Sequence, residues 1–268
     1  MSPLERVLRR EQFIIASGLA VLVGLAWLHL WRGAGMGMSG LDMTELTLFP
    51  HRQAEPMAGM EMEPFAWATA IVMWWTMMIA MMTPGAAPLV LLYGRVLRHH
   101  QRQPASSANI ASPMFLAAGY LTVWLGFSLV AAVLQRILEP GGLISSMMLW
   151  SRSATLSAGV LAAAGVYQLS PLKRSCLQRC RAPIQFLTSH WRPGRFGAFV
   201  IGLRHGAWCV GCCWILMGLL FVGGLMNLAW IVALTLLVLI EKLAPAGLKV
   251  SRISGALLLA WSVATLMV

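Results

Sequence analysis

Charged residues are scarce in this sequence, since Asp, Glu, Lys and Arg together make up only 11% of its 268 residues. Soluble domains carry about 25% charged residues, so the shortage excludes an ordinary soluble fold. Acidic residues are the rarer kind, nine against 20 basic residues, and the formal net charge is +11. The basic residues are scattered between apolar runs and form no single stripe, which excludes a typical nucleic-acid-binding protein.

Cysteine is also sparse and odd in number, with five residues, which argues against a secreted disulfide framework. Nucleotide-binding signatures are missing, because the sequence has neither a Walker-type Gly-rich loop nor an Asp-Lys-Thr-Gly phosphorylation motif. Any transport of a ligand by this protein would therefore be passive, coupled to a gradient, or limited to handing the ligand over to another protein. The sequence leaves catalysis open and favours a protein that is not an enzyme.

Long apolar runs fill the sequence, whose mean hydropathy is +0.74. They predict an all-α bundle of about seven transmembrane helices, at 13–30, 65–92, 113–135, 153–169, 198–221, 225–240 and 253–268. The first run is longer than the core of a typical signal peptide, and we expect it to stay as an uncleaved helix. Pro84 and Pro88 are expected to interrupt the end of the second helix. Residues 1–268 would form one integral membrane domain.

The distribution of Lys and Arg predicts the orientation of this bundle. If the N-terminus is cytoplasmic, 15 of the 20 basic residues lie in cytoplasmic segments and four lie in external segments, while Arg204 lies within a predicted helix. This orientation places a Met-rich segment, 32–64, on the external side. It places a basic, cysteine-containing loop, 170–197, in the cytoplasm, where thiols stay reduced.

The fifth apolar run carries an unusual density of soft metal ligands. His205, Cys209 and Cys212 follow an i, i+4, i+7 spacing and lie on one face of a helix, with Cys213 at the edge of that face. Thiolate and imidazole ligands suit Cu(I) and Zn(II). Two alternatives remain: cysteines that only fill a packed interior, and a Cys-x-x-Cys dithiol couple.

Methionines form two candidate groups. One lies in the external segment and the other in the second helix: Met57, Met60 and Met62, then Met73, Met77, Met78, Met81 and Met82. Thioethers in an exposed loop gain no burial, and they bind Cu(I). Contact of the external segment with lipid or with a partner protein is an alternative to copper binding. For the methionines of the second helix the alternative is packing in the protein core, because a Met stripe at helical spacing fits that role as well.

The cytoplasmic loop holds the remaining two cysteines. Cys176 and Cys180 are four residues apart, so a short helix beginning near Pro171 would put both on one side. The flanking Lys and Arg residues would lower the pKa of both thiols, which suits metal handover or a redox pair. The alternative is a basic segment that contacts anionic lipid headgroups.

Two adjacent charged residues follow the sixth apolar run. Glu241 and Lys242 do not face each other on a helix. Glu241 would pair with Arg204 if the ends of the fifth and sixth helices meet. An ordinary interfacial acid is the alternative.

Four stretches of the sequence together resemble one family. They are Met78–Pro84, Pro171–Arg181, Cys209–Met217 and the stretch from Gly224 to Lys242. Over roughly 65–250 the sequence is similar to a bacterial family of predicted metal-binding integral membrane proteins, sometimes labelled copper chaperones. The resemblance implies a multi-pass protein of the bacterial inner membrane and adds weight to copper. It supplies no activity, and the segment 32–64 and the last apolar run lie outside it.

We therefore expect a membrane protein that binds Cu(I), with zinc as the second candidate, and delivers or transfers it. The expected partners are the lipid bilayer and a periplasmic or membrane copper protein, with no nucleic acid and an oligomeric state that the sequence does not determine. A membrane thiol-disulfide oxidoreductase, using Cys209 and Cys212 with Cys176 and Cys180 as a relay, remains an alternative. So does a non-catalytic subunit of a larger membrane complex.

Overall fold

A computed structural model of the chain describes residues 3–35, 39–44, 67–100, 107–138, 144 and 150–267. These residues are almost entirely helical, which confirms the predicted all-α class. One isolated antiparallel bridge joins Ile144 to Ser151. Most of the Met-rich segment 32–64, including Met57, Met60 and Met62, lies outside the described residues, so its predicted role stays a prediction.

Ten helices follow one another in the described part of the chain. They are α1 (Pro3–Trp31), α2 (Trp67–His100), α3 (Ser107–Leu138), α4 (Ala154–Leu169), α5 (Pro171–Arg181), α6 (Pro183–His190), α7 (Gly194–Gly218), α8 (Leu220–Gly223), α9 (Leu228–Leu243) and α10 (Gly247–Met267). Polar side chains cap several of them, as the Ser153, Ser170 and Asn227 side chains accept backbone N–H groups of the first turns of α4, α5 and α9.

Five helical stretches of the described residues are long and apolar enough to cross a membrane. They are Gln12–Trp31, Trp67–Leu97, Ser112–Leu138, Gly194–Gly223 and Gly247–Met267. Every predicted apolar run has a helix, but α4 and α9 have only 16 residues each. A helix of that length spans about 24 Å, less than the ~30 Å hydrocarbon core. The seven crossings and the cytoplasmic N-terminus therefore stay predictions.

Helix α2 does not end at its prolines. Pro84 and Pro88 both lie inside it, and the helix continues to His100, so the predicted interruption is wrong. Each proline removes a backbone N–H from the helical ladder. Helices of membrane proteins tolerate such missing donors without ending. Close to the prolines, the hydroxyl of Tyr120 on α3 donates a hydrogen bond to the carbonyl oxygen of Met82 at 3.0 Å.

Helices α3 and α7 pack backbone against backbone. A Cβ atom on Gly202 would collide with the carbonyl oxygen of Leu116, and one on Gly119 would collide with that of Phe199. Small residues at a helix crossing allow this close approach because no side chain separates the two backbones. The crossing fixes how far α7 is rotated and shifted against α3, and it therefore fixes where the cysteines of α7 point.

Helix α2 lies in the centre of the protein, in contact with α1, α3 and α9. Its Trp74 is fully buried, as is Trp124 of α3. On the outside, large apolar side chains such as Phe13, Val130 and Leu257 are exposed. An extended apolar exterior of this kind is typical of a surface that contacts lipid.

Candidate functional site

The cysteines of α7 point into the protein. Cys209, Cys212 and Cys213 are each 1% exposed, and all five cysteines of the chain are free thiols. Helices α3, α5 and α9 contact α7, and Met82 of α2 reaches it as well. We name Met82, Cys180, Cys209, Cys212 and Cys213 the sulfur cluster.

The sulfur of Cys209 lies between two polar side chains from other helices. The ammonium of Lys242 on α9 donates a hydrogen bond to this sulfur at 2.8 Å. The hydroxyl oxygen of Tyr120 lies 3.0 Å from the same sulfur. A buried ammonium at this distance supplies a positive charge that balances an anionic sulfur.

A second pair of sulfur atoms adjoins the same lysine. The Sγ atom of Cys213 lies 3.8 Å from the Sδ atom of Met82, and the Lys242 ammonium lies 4.0 Å from that Sδ atom. Gly85, one turn along α2 from Met82, leaves room for the lysine, because a Cβ there would lie 3.2 Å from the lysine Cδ atom. Thiol, thioether and ammonium groups from α7, α2 and α9 thus share one buried pocket.

The thiol of Cys212 has different neighbours. It donates to the carbonyl oxygen of Cys209 at 3.1 Å, and the Cys180 thiol on α5 is a neighbour that interacts with it. Cys176 also faces α7, since a Cβ on Gly211 would lie 3.3 Å from its sulfur. The predicted short helix is confirmed, because α5 begins at Pro171, and it carries both of its cysteines towards α7.

The basic side chains of α5 do not bring the pKa of these two thiols below its ordinary value. Burial raises the pKa of Cys176, and the nearby Cys212 adds to the effect. The interaction with Cys212, together with burial, raises the pKa of Cys180 well above its ordinary value. The predicted depression is wrong because burial raises the pKa of Cys176 by more than Arg179 and Lys173 lower it. The Arg179 guanidinium also lies 3.9 Å from the centre of the Trp208 ring.

Lys173 is the second engaged cation of α5. Its ammonium lies 2.7 Å from a carboxylate oxygen of Glu241, and both side chains are 1% exposed. Gln168 donates to the other oxygen of Glu241 at 2.6 Å, and Arg181 donates to the Glu241 carbonyl at 3.0 Å. The expected pairing of Glu241 with Arg204 is therefore wrong, and this network instead holds α5 against the end of α9.

His205 lies one turn before Cys209 and is 3% exposed. Its ring packs against Tyr120 and Phe186, with centroids 5.8 and 5.3 Å away. Its Nδ1 atom is buried without a hydrogen-bond partner among the described residues. Buried polar atoms are rarely left unpaired, so this nitrogen stands out as a group available to a ligand.

The members of the sulfur cluster lie next to one another in series and do not form a closed coordination shell. Within the described residues, no three His, Cys, Asp or Glu side chains converge as they do in a preformed metal site. The five predicted methionines of α2 are all 0% exposed: Met73, Met77, Met78, Met81 and Met82. In this part of the chain, Met82 is the methionine that the structure joins to the thiols, whereas the others belong to the packed core.

Sequence reasoning missed Lys242 and Tyr120 as members of the site. A signal for Lys242 was present, because an ionisable residue at the end of an apolar helix is costly to bury and marks a functional position. Tyr120 is one of only three tyrosines and lies in an apolar helix, which is a weaker signal.

The residues of the sulfur cluster also lie within a match to a known protein family. A family model described as PpoB2, copper chaperone, matches residues 71–265, which is most of the chain and includes the whole sulfur cluster. Neither the curated proteins nor the solved structures contain a match. The family match confirms the resemblance to a family labelled copper chaperones.

Proposed function

This chain belongs to the PpoB2 copper chaperone family, and from that premise we propose that it binds Cu(I) in a bacterial inner membrane and hands it on. The cargo is a soft monovalent cation, which favours thiolate and thioether ligands over oxygen ligands. The proposal is supported by an apolar helical protein with five helices suited to a membrane and a buried group of sulfur atoms.

One observation carries the proposal, namely the meeting of Cys209, Cys213 and Met82 beside Lys242. The Cys213 sulfur lies 3.8 Å from that of Met82, and Cys209 and Met82 both adjoin the same ammonium. Two thiolates and one thioether would give Cu(I) a three-sulfur ligand set, drawn in by small side-chain movements. Packing alone does not require a buried ammonium among sulfur atoms.

The neighbouring groups support handover in preference to permanent storage. Cys212 joins the sulfur cluster to Cys180 on α5, which lies outside the stretches suited to span a membrane. His205 adds an unpaired buried nitrogen one turn from Cys209. Cu(I) could pass along this series by exchanging one soft ligand at a time, while keeping at least one sulfur bond throughout.

Metal analysis of the purified protein tests the proposal. The full chain is purified in detergent under reducing conditions, loaded with Cu(I), and freed of loosely bound metal. We expect at least one Cu(I) per chain, lost in the variant Cys209→Ser/Cys213→Ser. Cys176→Ser is the matched control, because that sulfur faces Gly211 instead of Met82. No copper in the unmodified protein would refute the function.

The Cys180 thiol on α5 is a neighbour of the Cys212 thiol on α7, which favours a second candidate, a membrane thiol-disulfide oxidoreductase. Thiol trapping followed by mass spectrometry distinguishes the two functions. A reversible Cys180–Cys212 disulfide in cells, together with absence of bound copper, would support the oxidoreductase. Reduced thiols and bound copper would support the copper function.

A further inference from the structure

We infer that Lys242 makes the sulfur site selective for a monovalent over a divalent cation. The inference rests on the proposed function, because it takes Cys209, Cys213 and Met82 as the ligands. The lysine is 7% exposed, and its ammonium lies 2.8 Å from the Cys209 sulfur and 4.0 Å from the Met82 sulfur. It is therefore a fixed positive charge at the edge of the ligand set.

No acid among the described residues cancels this charge. Glu241 is adjacent in sequence, but it points to another side of α9 and is paired with Lys173 at 2.7 Å. Its second oxygen accepts a hydrogen bond from Gln168. The other polar groups around the ammonium are the thiols of α7 and the hydroxyl of Tyr120. The charge of Lys242 is thus available to balance thiolates alone.

Counting charges shows which cation leaves the pocket neutral. Two thiolates and one ammonium sum to one negative charge, which a monovalent cation neutralises. A divalent cation would leave one net positive charge in a buried site, and burying an uncompensated charge is strongly unfavourable. A third thiolate would restore neutrality for a divalent cation, but the proposed site has two, because Cys209 and Cys213 are the thiols that lie against the Lys242 ammonium and the Met82 sulfur.

The same count predicts what happens when the lysine loses its charge. With Lys242→Met, two thiolates and a divalent cation become neutral, whereas the Cu(I) complex keeps one negative charge. The preference should therefore shift towards Zn(II). Lys242→Gln is uncharged but keeps a hydrogen-bond donor, so it separates charge from hydrogen bonding. Lys242→Arg keeps the charge and should keep the preference for Cu(I).

The experiment is a competition between Cu(I) and Zn(II), each buffered by a chelator, on the full-length protein in detergent, with bound metals measured by mass spectrometry. We expect the Cu(I):Zn(II) affinity ratio to fall at least about tenfold in Lys242→Met and Lys242→Gln. Lys249→Met is the matched control, because it removes another lysine charge at an exposed position of α10. Variants are compared only if they remain monodisperse.

Each outcome decides one claim. A ratio unchanged in both uncharged variants, with Cu(I) bound normally to the unmodified protein, overturns the role of Lys242 and leaves the proposed function standing. An equal fall in Lys249→Met also overturns it, because the effect would then come from the net charge of the protein and not from the charge beside the sulfur atoms. If the unmodified protein binds no Cu(I), the proposed function itself fails.

Discussion

Replacing Lys173 by Met is the sharpest test of how the protein holds α5 against α9. The Lys173 ammonium lies 2.7 Å from the Glu241 carboxylate, and each side chain is 1% exposed. Removing the ammonium leaves Glu241 buried with only the hydrogen bond from Gln168 to that carboxylate. Breaking one side of a buried ion pair costs about 3–5 kcal/mol of folding free energy. We expect a loss of that size.

The assay is reversible unfolding of the detergent-solubilised protein by increasing SDS, followed by the helical signal in circular dichroism. Arg174→Met is the matched control, since Arg174 is the next residue of α5 and is exposed. It should change the free energy of unfolding by less than about 0.5 kcal/mol. The double variant Lys173→Met/Glu241→Gln removes both charges and should recover part of the loss. A Lys173→Met variant as stable as the control would refute the reasoning.

Two further predictions rest on the fold, and a third rests on the distribution of Lys and Arg. Alkylation of Cys176, followed by mass spectrometry, should become half-maximal at a higher pH than alkylation of free cysteine. The reason is that burial raises the pKa of this thiol, so that the reactive thiolate forms at a higher pH. A pH profile like that of free cysteine would contradict this. Gly202→Ala should destabilise the protein in SDS by about 1–3 kcal/mol, because the added Cβ would meet the Leu116 carbonyl. Gly126→Ala is the control and should not destabilise the protein, because there is open space around Gly126. Equal effects of the two substitutions would refute the close crossing of α3 and α7. A reporter fused after Val268 should be active on the external side, and a cytoplasmic signal would contradict the predicted orientation.

The helices and the cysteine-bearing faces could be predicted from sequence because both depend on local spacing. Apolar runs of sufficient length form helices, and an i, i+4 pair such as Cys176 and Cys180 shares one side wherever the helix forms. The start of α5 at Pro171 is equally local, because Ser170 caps it and proline fits the first turn. These features need no knowledge of which helices are neighbours.

The composition of the site depends on which helices are neighbours, and sequence spacing does not contain that information. Lys242 and Cys209 are 33 positions apart and meet only because α9 packs beside α7. Glu241 likewise finds Lys173 on α5. The burial that raises the pKa of Cys176 also comes from this packing, which sequence spacing does not show. The continuation of α2 through Pro84 and Pro88 is a further feature that local sequence signals did not predict.

X-ray absorption at the copper K-edge tests the central claim most directly, on full-length protein loaded with Cu(I) in detergent. The account predicts copper in the Cu(I) state with sulfur atoms as its nearest neighbours, and loss of that signal in Cys209→Ser/Cys213→Ser. A nearest shell of nitrogen or oxygen atoms, or a sulfur shell that persists in this variant, would contradict it.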